Sequence, residues 1–439
     1  MRRFAARPAG AAQTGVFADL TWLSLLALVV VSISRVHQAV GIVGKMRPAL
    51  LLFVAAAGCA LLQGHPRWRN LTRFWLGPVL VALGVLACLS APFGISFGSS
   101  AAFILSNYGK TLLVTAMLIV CMRRWTDLSR LTWAYVIGVG LLAALSVFVY
   151  GISKTHSNDT FDANDVGLIM VTGVPLAVVT WQTSRRAGKA ASILLLALMV
   201  LTIAKSLSRG AFVGLLIVGA AMVLSLRTTT LTRRIGILTA VALALVLSAP
   251  QGYWDMMRSL THPTADYNWE SAGGRKAIAK RGLSYMMAYP LFGIGIHNFE
   301  RAEGTISDRA QNAPVGKGVR WTAPHNSYIE VGAELGVFGF VLYIVLVFGC
   351  IVSAWRMHRR LPESWRTGPP DQRFLYSLTN ALPIAMTGFA VTSFFVSFSY
   401  LDVPYMLLAL TCGAHACVTR RLPATPRVAR VPMRMERAA

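Results

Sequence analysis

Residues 328–354 read YIEVGAELGVFGFVLYIVLVFGCIVSA, 27 positions with two carboxylates and no lysine or arginine. About 20 apolar residues match the thickness of a bilayer's hydrocarbon core, and a helix of that length satisfies its own backbone there. The stretch therefore reads as a transmembrane helix. Glu330 and Glu334 stand out in it, four apart and costly at such depth, where carboxylates are usually functional or paired.

Working outward, comparable apolar stretches fall near 17–34, 48–64, 74–92, 101–121, 131–150, 166–182, 190–205, 210–226, 235–250, 378–398 and 403–418. The chain is 55% hydrophobic and 13% charged, with a mean hydropathy of +0.57, too apolar for a soluble domain. The expectation is an all-α membrane protein of about twelve transmembrane helices: nine over 1–250, three over 328–418. Between them lies one large loop, 251–327, containing short helices, and a basic tail, 419–439, follows the last span. A loop that long exceeds what a connector needs and is where function is expected.

The net charge is +25. In a soluble chain this would suggest nucleic acid. Here the bias has a topological meaning. With the N-terminus inside, the seven inner segments hold 26 of the 42 lysines and arginines, and nine of the rest sit in 251–327. Basic residues in short loops mark the cytoplasmic side, so both termini are expected there and the large loop outside. The arginines of the tail read as headgroup attraction. The N-terminus reads as a retained first helix, since no small-residue cleavage site follows its apolar run. All six cysteines lie in apolar stretches without metal-ligand spacing, so disulfide frameworks and zinc sites are not expected.

Three outer clusters carry candidate chemistry. Lys205 and Arg209 flank a short Ser-rich turn and, four apart, would share a helical face at the start of a helix, whose N-terminus favours anions; snorkelling to headgroups is the alternative. Gly274-Arg275-Lys276 through Lys280-Arg281 opens a helix stopped by Pro290. It is either a solvated charge run or a pyrophosphate clamp built on the guanidinium fork. Pro324-His325-Asn326-Ser327-Tyr328 places a histidine at the membrane interface, poised as a general base ahead of Glu330 and Glu334. Asp159, Asp162 and Asp165 lack the glycine and distal glutamate of a calcium loop, and capping by Asp162 or Asn164 is preferred to a metal site. His297 and the other outer histidines lack supporting neighbours in sequence.

Four short blocks, in this order, resemble the O-antigen ligase and polymerase superfamily of bacterial envelope glycosyltransferases. They are Asn164-Asp165-Val166-Gly167; Ser208-Arg209-Gly210; Gly274-Arg275 with Pro290-Leu291-Phe292-Gly293-Ile294-Gly295; and His325-Asn326 followed by Glu334 and Gly336. The resemblance covers roughly 150–400. It implies a GT-C-like enzyme of the bacterial inner membrane with a periplasmic active site. Its donor would be an O-antigen on undecaprenyl pyrophosphate and its acceptor lipid A–core, with membrane lipids as the other partners and no nucleic acid, metal or cofactor. The ligase branch fits best by length and by the single large loop; polymerases and protein O-oligosaccharyltransferases share the blocks. Under this resemblance His325 is the catalytic base. Arg209 and Arg275 bind the pyrophosphate, with Arg281, Lys280 and Lys205 as lesser contacts, and Asn326, Tyr328, Glu334, Asn164 and Asp165 support them. The family's arginine block usually carries a tryptophan several residues on; here Ala277-Ile278-Ala279-Lys280 stands instead, leaving Arg275 and Arg281 both open as the main contact. A transporter for the same lipid-linked substrate is the competing class, but the cations gather on one face instead of lining the spans, and no paired broken helices are visible.

Overall fold

The computed structural model describes residues 16–39, 44–62, 68–122, 124–150, 161–225, scattered positions from 230 to 243, 274–314, 318–319 and 321–422. Among them the secondary structure is entirely helical. In chain order the main helices are α1 (Val16–Ser34), α2 (Pro48–Leu62), α3 (Leu76–Phe93), α4 (Phe97–Cys121, with a π-helical turn at Ile104–Tyr108), α5 (Trp125–Phe148), α6 (Ala163–Thr183), α7 (Arg186–Lys205), α8 (Arg209–Ser225), α9 (Arg275–Ala288), α10 (Ser327–Arg360), α11 (Pro370–Thr392) and α12 (Asp402–Thr419).

Seven of these, α3 to α7 with α10 and α11, are long and apolar enough to cross a bilayer; α1, α2 and α8 are shorter apolar helices. Twelve crossings are not reached among the described residues. Most of the expected span at 235–250, loop residues 251–273, Asp159, His156, His262 and tail residues 423–439 lie outside them.

The bundle is built around α6. Of its apolar window 78% is buried inside the protein, against 28% for α7, so α6 is central and α7 presents most of its surface outward. α6 packs on α5, α7, α8 and α11. Lipid is as apolar as leucine, so close van der Waals contact, not water exclusion, holds such helices together. Gly214 on α8 and Gly388 on α11 accordingly bring both backbones against Val171 of α6.

Two departures from the sequence reading shape the functional end. The apolar stretch 378–398 does not continue as helix: α11 stops at Thr392, and 393–401 folds back into the protein. Its backbone is satisfied by α10 instead of by itself. The Ser327 amide donates to the Ser393 carbonyl (2.9 Å), Ser327 Oγ donates to the Val396 carbonyl (2.8 Å) and accepts from the Phe398 amide (2.9 Å). Irregular backbone at membrane depth persists only when protein covers and pairs it in this way.

The second departure is inside α10. Gly336 has φ 72° and ψ −170°, a region essentially reserved for glycine, and interrupts the helix. The Val337 amide, which in a regular helix would serve the Ala333 carbonyl, donates to Pro290 instead (2.9 Å). The exposed carbonyls of Ala333 and Glu334 are taken by the amides of Ile294 (2.9 Å) and Gly295 (3.1 Å). Pro290 to Gly295 is thus a plug seated in a helix break. Gly293 at φ 66° permits the approach, since a Cβ there would lie 2.3 Å from the Glu334 carbonyl carbon.

Candidate active site

Helix α9 lies alongside the front of α10 and runs parallel to it. Gly282 meets Ile329, Gly332 meets Met286, and Gly336 meets Pro290, a constant register along both helices. Extending it seven residues back from Gly282, about 10 Å at 1.5 Å per residue, brings Arg275 to the level of His325 and slightly past it. Arg275 is the first residue of α9, with Gly274 as its N-cap.

His325 lies two residues before α10, with φ 47°. A left-handed conformation at a non-glycine residue costs on the order of 1–3 kcal/mol and persists when its surroundings enforce it. Those surroundings are explicit: the His325 amide donates to Ser397 Oγ in the folded-back loop (3.0 Å). Next to it Asn326 caps α10, its Oδ1 accepting from the amides of Tyr328 (3.0 Å) and Ile329 (3.1 Å). Tyr328 is buried and donates to the Ala390 carbonyl (2.9 Å), tying α10 to α11.

Arg209 is the first residue of α8. The expectation that Lys205 and Arg209 share one helical face is corrected here. Lys205 ends α7 and Arg209 begins α8, with Leu207 in the turn at φ 54°. The chain reverses between them, so their spacing of four carries no helical meaning. Ser208 Oγ donates to Asn164 Oδ1 of α6 (2.8 Å) and accepts from the Ala211 amide (3.2 Å), joining the starts of α6 and α8. Gly210 abuts Phe395, so the start of α8 rests on the same folded-back loop that holds His325. Asp162 caps α6 by accepting from the amides of Asn164 (2.7 Å) and Asp165 (2.9 Å), and Asp165 returns the bond to the Asp162 amide (3.1 Å). This reciprocal capping box gives Asp162 and Asp165 a structural occupation.

Of the two arginines of α9, Arg281 has a defined partner. Arg281 is bound to Glu303 through Nε (2.8 and 3.0 Å) and Nη2 (2.5 Å). Glu303 is fully buried and also accepts from Tyr285 Oη (3.1 Å) and Thr322 Oγ1 (3.2 Å). Hydrogen bonding to this carboxylate raises the Arg281 pKa above its ordinary value. Lys280 and Lys205 are exposed.

Glu334 does not reach toward His325. Its carboxylate accepts from the amides of His297 (2.7 Å) and Phe299 (3.0 Å), fixing the segment that follows the Pro290 plug. Glu330 accepts from the Ser399 amide (3.3 Å) and hydroxyl, holding the folded-back loop. His297, isolated in sequence, has neighbours in space: it stacks on Phe103 at 4.2 Å and has φ 60°. Glu303, Ser397, Ser399 and His297 are the site-end residues that sequence reasoning missed. The serine-aromatic alternation over 393–400 was the available signal, hidden within an apolar run.

Four helix starts therefore meet at one end of the bundle: those of α6, α8, α9 and α10. Each presents amides and positive dipole, and Arg209, Arg275 and His325 stand at three of them. Such an end can hold a diphosphate and offer a base beside it. No relative matched the chain among curated proteins. Residues 194–344, which include Arg209, Arg275, Arg281, His325 and both α10 glutamates, match the Wzy_C family model, described as O-antigen ligase, and this match supports the resemblance to the O-antigen ligase/polymerase superfamily over that part of the chain.

Proposed function

We propose that the protein is an O-antigen ligase, transferring a glycan from undecaprenyl pyrophosphate to lipid A–core at the periplasmic face of the inner membrane. The observation that carries this reading is the gathering of Arg209, Arg275 and His325 at helix starts on one end of the bundle. In the reaction an acceptor hydroxyl oxygen attacks the anomeric carbon, and the carbon–oxygen bond to the diphosphate breaks with its electrons going to the diphosphate. Charge grows on that leaving group, and fixed guanidinium groups and helix amides stabilise it without reorganising. Arg209 and Arg275 take this role, with Lys205 and Lys280 as outer contacts. Arg281 is assigned to Glu303 and to the shape of the site instead. His325 receives the hydroxyl proton. Displacement in one step inverts the anomeric centre, and because arginines supply the positive charge no divalent ion is required.

The test is the purified full chain supplied with lipid-linked glycan and lipid A–core in excess chelator, read by mass. A mass-shifted acceptor, lost in His325→Ala with folding retained, supports the reading. A lengthened lipid-linked glycan with untouched acceptor would instead mark a polymerase. Turnover abolished by chelator would return attention to the aspartates preceding α6.

A further inference from the structure

At the end of the bundle opposite His325, the last turns of α10 and the beginning of α11 enclose a cavity of about 890 Å³. From Val337 to Arg360, α10 rises about 36 Å, the thickness of a hydrocarbon core with a margin, so this cavity and the candidate active site face opposite membrane surfaces. Its size is that of a ligand site, far beyond a water pocket.

The cavity has two chemically distinct parts. One wall is apolar, formed by Leu224 of α8 with Ile351, Val352 and Trp355 of α10. Leu224 is 72% exposed and Trp355 48%, so this wall opens sideways, toward where lipid chains lie. The mouth is charged: Arg359 on α10, Arg366 on the short turn Glu363–Arg366, and Arg373 on α11, against Glu363 alone among the lining carboxylates. Arg359 lies over the Trp355 ring at 4.8 Å, which holds the guanidinium at the boundary of the two parts. Arg373 Nε is buried and has no hydrogen-bond partner among the described residues. A buried, unpaired guanidinium nitrogen is costly unless something anionic completes it.

We infer that this cavity binds the headgroup of an anionic phospholipid, its phosphate among Arg359, Arg366 and Arg373 and one acyl chain along Leu224, Ile351 and Val352. Cation and apolar wall together select this occupant. A free phosphate would leave the wall uncovered, and a zwitterionic lipid would bring a second positive charge to a cationic mouth. Basic pockets between helices near a membrane surface suit anionic headgroups, and each cation is worth about fivefold in affinity there. This site shares no residue with the proposed reaction, so either reading can fail without the other.

The test uses the full chain in detergent, measured by native mass spectrometry of retained lipid and by Tm with added lipid. Phosphatidylglycerol is expected to stay bound and raise Tm, with phosphatidylcholine and inorganic phosphate doing neither. Arg366→Gln and Arg373→Gln should each weaken retention about fivefold, whereas Lys189→Gln, an exposed cation at the same end outside the cavity, should not. Arg366 lies on an exposed turn, so its variant remains informative should Arg373→Gln fail to fold. Equal retention of phosphatidylcholine, displacement of the lipid by millimolar phosphate, or undiminished binding in Arg366→Gln overturns the inference.

Discussion

The nine residues of α10 ahead of Gly336 and the twenty-four behind it meet different surroundings. Behind the glycine the helix is a membrane strut, with Phe338, Val341, Phe348 and Val352 turned outward. Ahead of it Ser327, Tyr328, Glu330 and Glu334 each bind a segment far away in sequence: the folded-back loop, the end of α11, or the stretch after the Pro290 plug. One helix thus serves as lipid-facing support over most of its length and as a hub for the candidate site over its first turns. The break between the two is what frees backbone groups for the plug.

Substitution at Gly336 should break this division most severely. Gly336→Ala forces a side chain into φ 72° and sets a Cβ 2.4 Å from the Pro290 carbonyl oxygen. Conformational strain and overpacking together should cost about 4 kcal/mol, read as lost folded yield or a large fall in Tm. Arg281→Gln should follow at about 3 kcal/mol, because Glu303 is left buried without its cation. The double variant Arg281→Gln with Glu303→Gln should recover most of that loss. Full stability with transfer alone abolished in the single variant would instead make Arg281 a substrate contact. Glu334→Ala removes the acceptor of two amides and should cost about 2 kcal/mol, with faster hydrogen exchange at His297 and Phe299 as its signature. Asn326→Ala should cost about 1 kcal/mol through the lost cap. As the contrast from the other half, Phe338→Leu on the outward face should stay within about 0.5 kcal/mol.

Much of this arrangement was legible in the sequence, for physical reasons that also mark the boundary of legibility. A helix in lipid must be long and apolar, so the spans announce themselves by length. Eleven of the twelve apolar stretches coincide with helices, seven of them long and apolar enough to cross a bilayer, and most of the twelfth falls outside the described residues. Local signals worked as well: Pro290 stops α9, and Asp162, one of the two capping candidates, caps α6. What could not be read depends on partners remote in the chain. Hydropathy counts 393–398 as span because Phe394, Phe395, Val396 and Phe398 are apolar, yet the backbone there is held by Ser327. The charge run of α9 left Arg275 and Arg281 equivalent, and the pairing of Arg281 with Glu303, 22 residues further on, could not be read from it. The Lys205–Arg209 spacing misled because periodicity has meaning only while a helix continues, and Leu207 ends it.

The folded-back loop also imposes an order on biogenesis. His325 is anchored by a serine 72 residues further along the chain, and Glu330 by one 69 residues further, so neither bond can form while the ribosome is still making α11. Domains and helices assemble as they emerge, N-terminal parts first. The lipid-facing struts made earlier can therefore be inserted and packed while the end that carries the candidate site remains slack, and that end tightens only when 393–401 arrives. Most of the bundle is in place before the candidate site closes, and only α12 follows.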